Sequence, residues 1–183
     1  SDMTAASAYT GANEFYEIVQ GGNTRQGSHE LLKTYLDTLY APAVATASYY
    51  ANTMAGNGST ANRIVYYTNQ PTNSPNSQFT VANSSVNGLS ITINVAGVYS
   101  FAASFDTSTQ HVGLSLNASS LTTGIQALAA GEILAMAYCA GVGFAQQVCI
   151  TRRFAVNDII RPHTDGAVVS GASRNNFICE KVG

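Results

Sequence analysis

"VAGVYSFAASF", residues 95–105, separates at every second position into two unlike sets. Val95, Gly97, Tyr99, Phe101, Ala103 and Phe105 form one, and Ala96, Val98, Ser100, Ala102 and Ser104 the other. Side chains alternate across a β-strand. One face of this strand therefore carries rings, and the other carries small groups where a solvent face would carry Lys, Glu or Thr. The ring side belongs in a core. The small side suits a surface that something approaches closely, either a neighbouring subunit or a loop of the same chain. Periodicity leaves both open.

The same grammar extends outward. In "LSITINV" (89–95) Leu89, Ile91, Ile93 and Val95 alternate with Ser90, Thr92 and Asn94, the pattern of a half-buried strand. "RIVYY" (63–67), "QFTVAN" (78–83), "HVGLSLN" (111–117), "QVCITRRFAV" (147–156), "DIIRPHT" (158–164) and "NNFICEKV" (175–182) read as further strands, with a mixed stretch at 125–145. The prolines and asparagines of "TNQPTNSPNSQ" (68–78) predict an irregular loop. Many short strands separated by turns indicate a sandwich or barrel. No internal repeat is visible.

Composition narrows the function. Of 183 residues, 45% are hydrophobic and only 10% charged, against about 25% in an ordinary soluble domain, so the surface is built from Ser, Thr, Asn, Gln and Gly. A net charge of −2 supplies no basic field for nucleic acid or an anionic membrane. No run reaches the roughly 18 apolar residues of a membrane span; the longest apolar region, 127–145, is broken by Glu132 and glycines. No signal-peptide pattern opens the chain, and "SDM" reads as a cloning remnant before Met3. Cys139, Cys149 and Cys179 are odd in number, lack metal-site spacing and sit in apolar strand contexts. They are expected as buried free thiols, consistent with synthesis in a reducing cytoplasm.

Residues 1–46 differ from the rest. "EFYEIVQ" (14–20) is a short strand ended by Gly21-Gly22. "SHELLKTYLDTLY" (28–40) predicts a helix with Ser28 as N-cap, Glu30 in the first turn and Pro42 beyond the end. Its stripe of Leu32, Tyr35, Leu36 and Leu39 is narrow, and a helix so short must dock to persist. The expected organisation is a leader, 1–46, and a head domain, 47–183.

The order of these strands resembles the tumour-necrosis-factor and complement globular-head superfamily. The residues carrying the resemblance are "ITINVAGVYSFAASF" (91–105), similar to that family's Gly-Val-Tyr-x-Phe signature; "VGLSLNAS" (112–119); "FAVNDIIRPHTDG" (154–166), with Asn157-Asp158 where Gly-Asp is usual; and the closing "NNFICEKV". The resemblance spans roughly residues 60–183. It implies a jelly-roll β-sandwich, mainly β, that forms a homotrimer. Gly97, Tyr99, Phe101, Phe105 and Phe177 would be core, and Val98, Ser100, Ala102 and Ser104 would face the threefold axis. The stretch 120–146 and the missing glycine before Asp158 depart from the family pattern. A second, local resemblance lies in "YEIVQGGNTRQGSHELLKTYLDTLYAP" (16–42), which is similar to a module of bacteriophage tail and fibre proteins. Together they imply a virion protein, made in the bacterial cytoplasm, that joins other virion proteins through residues 1–46. Its head would bind a host-surface glycan or protein. The alternative is a capsid decoration or head-fibre protein that binds no receptor.

Signals for catalysis are weak. His29, His111 and His163 are far apart, and a Cys149-His163-Asp165 triad lacks a nucleophile elbow around Cys149. Of ten acidic residues several lie in the leader, which disfavours a paired-carboxylate hydrolase. Asp158 reads as a turn former rather than a calcium ligand. No cofactor or metal is expected, and the sequons at Asn57, Asn83 and Asn117 are chance matches in an Asn- and Ser-rich chain. Arg152 and Arg153 should point to opposite faces, one at a wet interface or both as edge-strand charges. The pairs Tyr49-Tyr50 and Tyr66-Tyr67 should each put one ring inside and one outside. An outer Tyr beside Asn and Ser suits a sugar platform and a trimer interface equally.

Overall fold

The structure is a computed structural model that describes residues 15–20, 23–28, 47–59, 62–73, 77–168 and 174–183. The chain divides into two compact units, Ser1–Ala45 and Thr46–Gly183. In the first, β1 (Phe15–Gln20) pairs antiparallel with β2 (Asn23–Ser28), Gln20 opposite Asn23. The second strand is absent from the sequence reading, although two glycines between paired residues are a strong hairpin signal. The helix expected over 28–40 lies outside the described residues, apart from Ser28, which ends β2.

The second unit is built from β3 (Ser48–Asn57), β4 (Val65–Asn73), β5 (Phe79–Ser84), β6 (Gly88–Ile93), β7 (Gly97–Phe105), β8 (Gln110–Leu116), β9 (Ile133–Cys139), β10 (Gln146–Phe154), β11 (Ile159–Thr164) and β12 (Asn176–Lys181). They form two five-stranded antiparallel sheets, ordered β10-β7-β12-β3-β4 and β5-β6-β11-β8-β9. This is a mainly β jelly-roll sandwich. β7 is flanked by β10 and β12, so both of its edges are hydrogen-bonded, and its ring-bearing face is buried in the sandwich.

The core follows from the alternation. Tyr99, Phe101, Ala103 and Phe105 are completely buried, as are Leu89, Ile91 and Ile93 on β6. Phe101 links the rings of three strands, 5.2 Å from Phe154, 6.2 Å from Phe177 and 6.4 Å from Tyr99 between centroids. Tyr99 keeps its hydroxyl satisfied by donating to the Val95 carbonyl at 2.7 Å, as a buried phenol must. Tyr49 and Tyr67 are also buried, and burial pushes both phenols well above the usual tyrosine range. Tyr50 and Tyr66 are half-buried. Both tyrosine pairs lie within strands of the sandwich, Tyr49-Tyr50 in β3 and Tyr66-Tyr67 in β4. Gly97 stands where a Cβ would meet the Gly183 carbonyl at 2.7 Å, so β7 begins where the C-terminal end passes close.

Two local expectations change, and one departure from the family pattern finds its reason. β4 continues through Gln70, Pro71 and Thr72, which the sequence assigns to a loop. β4 is an edge strand, and Pro71 falls at a register shift between the Tyr50↔Thr72 and Asn52↔Asn69 pairs, where a missing N–H costs no ladder bond. Val95 is 39% exposed, because β6 ends at Ile93 and the chain turns before β7. Asn157, at the position the resembled family fills with glycine, has φ 70°. Asparagine is the residue that best tolerates this left-handed conformation after glycine. Asp158 caps the same corner: its carboxylate accepts from the Ala155 N–H at 2.8 Å and the Asn117 side chain at 2.9 Å.

Candidate functional site

Residues directly opposed in an antiparallel pair share a face. Val98, Ser100, Ala102 and Ser104 on β7 therefore stand beside Arg153, Thr151, Cys149 and Gln147 on β10. On the other side Ser100, Ala102 and Ser104 meet Glu180, Ile178 and Asn176 on β12, which in turn oppose Ser48, Tyr50 and Asn52 on β3. Together these make the outer face of the sheet β10-β7-β12-β3-β4. Along β7 the side chains of this face are small, with larger ones from β10, β12 and β3 on either side, and the face is almost neutral. Among the described residues in this register only Arg153 and Glu180 are charged, and both lie toward the Val98 end.

Its polar groups are largely tied to one another. Thr151 Oγ1 donates to Ser100 Oγ at 3.0 Å, and Asn69 donates to Asn52 Oδ1 at 2.8 Å. Ser104 Oγ donates to the Arg174 carbonyl and accepts from the Asn176 N–H at 3.1 Å. Val98, Ser100 and Ala102 are half-buried. A face that has satisfied its hydrogen bonds internally loses little when it is desolvated by a second surface.

Cys149 corrects an expectation. It is exposed, in the middle of this face opposite Ala102, whereas Cys139 and Cys179 are buried. Burial pushes the Cys179 thiol far up, out of reach of thiolate chemistry. The two arginines do diverge: Arg153 lies on the open face, while Arg152 turns the other way and its guanidinium sits 5.4 Å from the centre of the Phe154 ring.

The residues of the conceivable thiol triad are not brought together. Cys149 is on one sheet and His163 is buried on the other. His163 Nε2 lies 2.7 Å from the Thr123 carbonyl, which can only accept, so Nε2 carries the proton. Ser115 Oγ, 3.1 Å from Nδ1, is then the donor there. Asp165 is engaged with His111 instead. The stretch 118–132 supplies Thr123, and with it the small buried cluster of Ala118, Ile125 and Leu128. Burial holds the His163 imidazole below its ordinary 6.5; the hydrogen bond to the Thr123 carbonyl opposes this, Arg161 lowers it further, and Asp165 and Glu132 raise it. The unfolded chain therefore takes up a proton that the folded one refuses, and stability falls as pH drops below about 6.5, by up to about 1.4 kcal/mol per pH unit. Thermal unfolding of wild type and His163→Gln between about pH 7.5 and about pH 5 should show the wild type losing more stability on acidification. Parallel curves would show that His163 carries no such linkage.

No known protein family and no curated protein matches the chain by sequence. Its fold has many solved counterparts. A crystal structure of murine APRIL superposes with TM-score 0.50 at 11% identity, covering 75% of this chain and 99% of that one. One of Pika GITRL gives TM-score 0.45 at 11% identity, covering 73% and 97%. At such identity the likeness is one of fold alone. With the strand order above, it gives residues 46–183 a tumour-necrosis-factor-like jelly roll.

Proposed function

We propose that this chain is a trimeric bacteriophage virion protein whose jelly-roll head attaches to a host-surface ligand, with residues 1–46 joining it to the particle. The observation that supports the assembly is the face around Ala102: nearly uncharged, with several polar groups paired internally and a central strand of small side chains, Val98, Ser100, Ala102 and Ser104, along which neighbouring sheets can come close. Such a face is expected to be covered by copies of itself, since a closed ring of like subunits leaves none of it over. The resemblance of residues 16–42 to a tail and fibre module supports the attachment role and a virion location. A non-catalytic role agrees with the separation of Cys149, His163 and Asp165.

The test is removal of residues 1–46. The truncated head should remain a soluble trimer in sedimentation and bind host cells as the full chain does, but should no longer be incorporated into particles. Loss of trimers and unfolding of the truncated head would make the leader part of the fold and overturn its attachment role. A full-length protein that joins particles and binds no host cell would instead be a decoration or head-fibre protein.

A further inference from the structure

The outer face of the other sheet is only partly covered. Ile125, within the stretch 118–132, packs over Gly113 of β8, and beside that stretch three side chains from separate segments meet. His111 lies near the start of β8, Tyr138 stands directly opposite it on β9, and Asp165 follows β11. His111 Nδ1 lies 2.9 Å from Asp165 Oδ2, and Asp165 Oδ1 accepts the Gln126 N–H at 2.9 Å. The carboxylate is thus engaged on both oxygens, and its orientation fixes that of the imidazole. The His111 and Tyr138 rings are 5.1 Å apart between centroids and inclined at 59°. Tyr138 is 53% exposed, and Met136, two residues earlier on the same face, is 42% exposed.

We propose that His111, Tyr138 and Asp165 form a carbohydrate-binding site that takes a neutral pyranose. An exposed tyrosine offers a flat apolar surface to the C–H face of a sugar ring and a hydroxyl at its rim. His111 Nε2, on the ring edge away from Asp165, has no hydrogen-bond partner among the described residues and meets a sugar hydroxyl at a fixed angle. The fixed charge among these three side chains is the Asp165 carboxylate, which would repel an anionic sugar, so the site suits a neutral one. An oriented Asp-His pair also occurs in hydrolases, but among the described residues no Ser, Thr or Cys is hydrogen-bonded to Nε2, which leaves binding rather than catalysis. Small-molecule sites combine an apolar platform with a few fixed polar groups in the same way. The inference rests on the proposed host-attachment role only for the source of the sugar.

The probes are the methyl glycosides of glucose, galactose, mannose and N-acetylglucosamine, titrated into the full chain and followed by NMR of the Tyr138 and His111 rings. At least one should perturb both rings saturably. Tyr138→Ala and His111→Ala should each weaken that binding about tenfold or more, while Tyr138→Phe, which keeps the stacking surface, should retain most of it. Unchanged amide spectra elsewhere would show that the variants fold. No saturable binding by wild type, or binding that Tyr138→Ala leaves unchanged, overturns the site. Host-cell binding measured in parallel separates this from the attachment role. Cells bound equally by wild type and Tyr138→Ala, with no sugar bound through Tyr138, overturn the site and leave that role standing. A sugar bound through Tyr138 with no cells bound supports the site and overturns the role. Cell binding lost in Tyr138→Ala without any sugar binding to wild type overturns the carbohydrate and assigns the face to a protein ligand.

Discussion

Ala102→Arg is expected to convert the proposed trimer into soluble monomers. Ala102 sits mid-face, between Cys149 and Ile178 in the register of the sheet, and is half-buried within its own subunit. In one subunit an arginine there can extend across the face and keep its guanidinium in water, so the fold should survive. In a closed trimer the same substitution brings three like charges onto one dry axis. An unpaired buried charge costs on the order of 3–5 kcal/mol, and the assembly would carry three. Sedimentation should show wild-type trimers and variant monomers at the same concentration. Cys149 gives an independent reading, because it lies on the same face: a thiol reagent should label it slowly in wild type and quickly in the variant. A wild-type protein that sediments as a stable monomer, with Cys149 freely labelled, would overturn the threefold assembly.

Phe101→Ala is expected to be the most damaging single truncation in the head. Phe101 is fully buried and touches Tyr99, Phe154 and Phe177, so removing its ring opens a cavity that joins residues of three strands. Large-to-small changes of this kind cost about 3–5 kcal/mol. A domain of this size has roughly 5–15 kcal/mol in total. The melting temperature should fall by roughly 6–20 °C. Phe144→Ala is the internal control. Phe144 is 66% exposed, and its loss should stay within about 0.5 kcal/mol. Equal effects of the two substitutions would mean that the core is not organised around Phe101.

What the sequence by itself determined is everything that repeats with the period of one strand. The alternation in 89–93 and 97–105 assigns Leu89, Ile91, Ile93, Tyr99, Phe101 and Phe105 to the core, because a slip of one residue would turn the whole set outward. The turn chemistry at Asn157-Asp158 is equally local, since a left-handed φ and a side-chain cap need only the residues of the corner. What only the tertiary structure decided depends on which strand lies beside which. Pro71 is compatible with a strand because β4 is an edge, and nothing within residues 68–78 says so. Cys149 reads as a buried thiol from its apolar neighbours, yet it falls on the outer register of β10, a parity that pairing with Ala102 settles. His163 and Asp165 are two residues apart, but one turns into the cover formed by 118–132 and the other joins His111, 54 residues away. Side chains from β8, β9 and the end of β11 meet only once those strands have paired, and such pairing is fixed by burial of the whole sheet face rather than by any signal within the segments it joins.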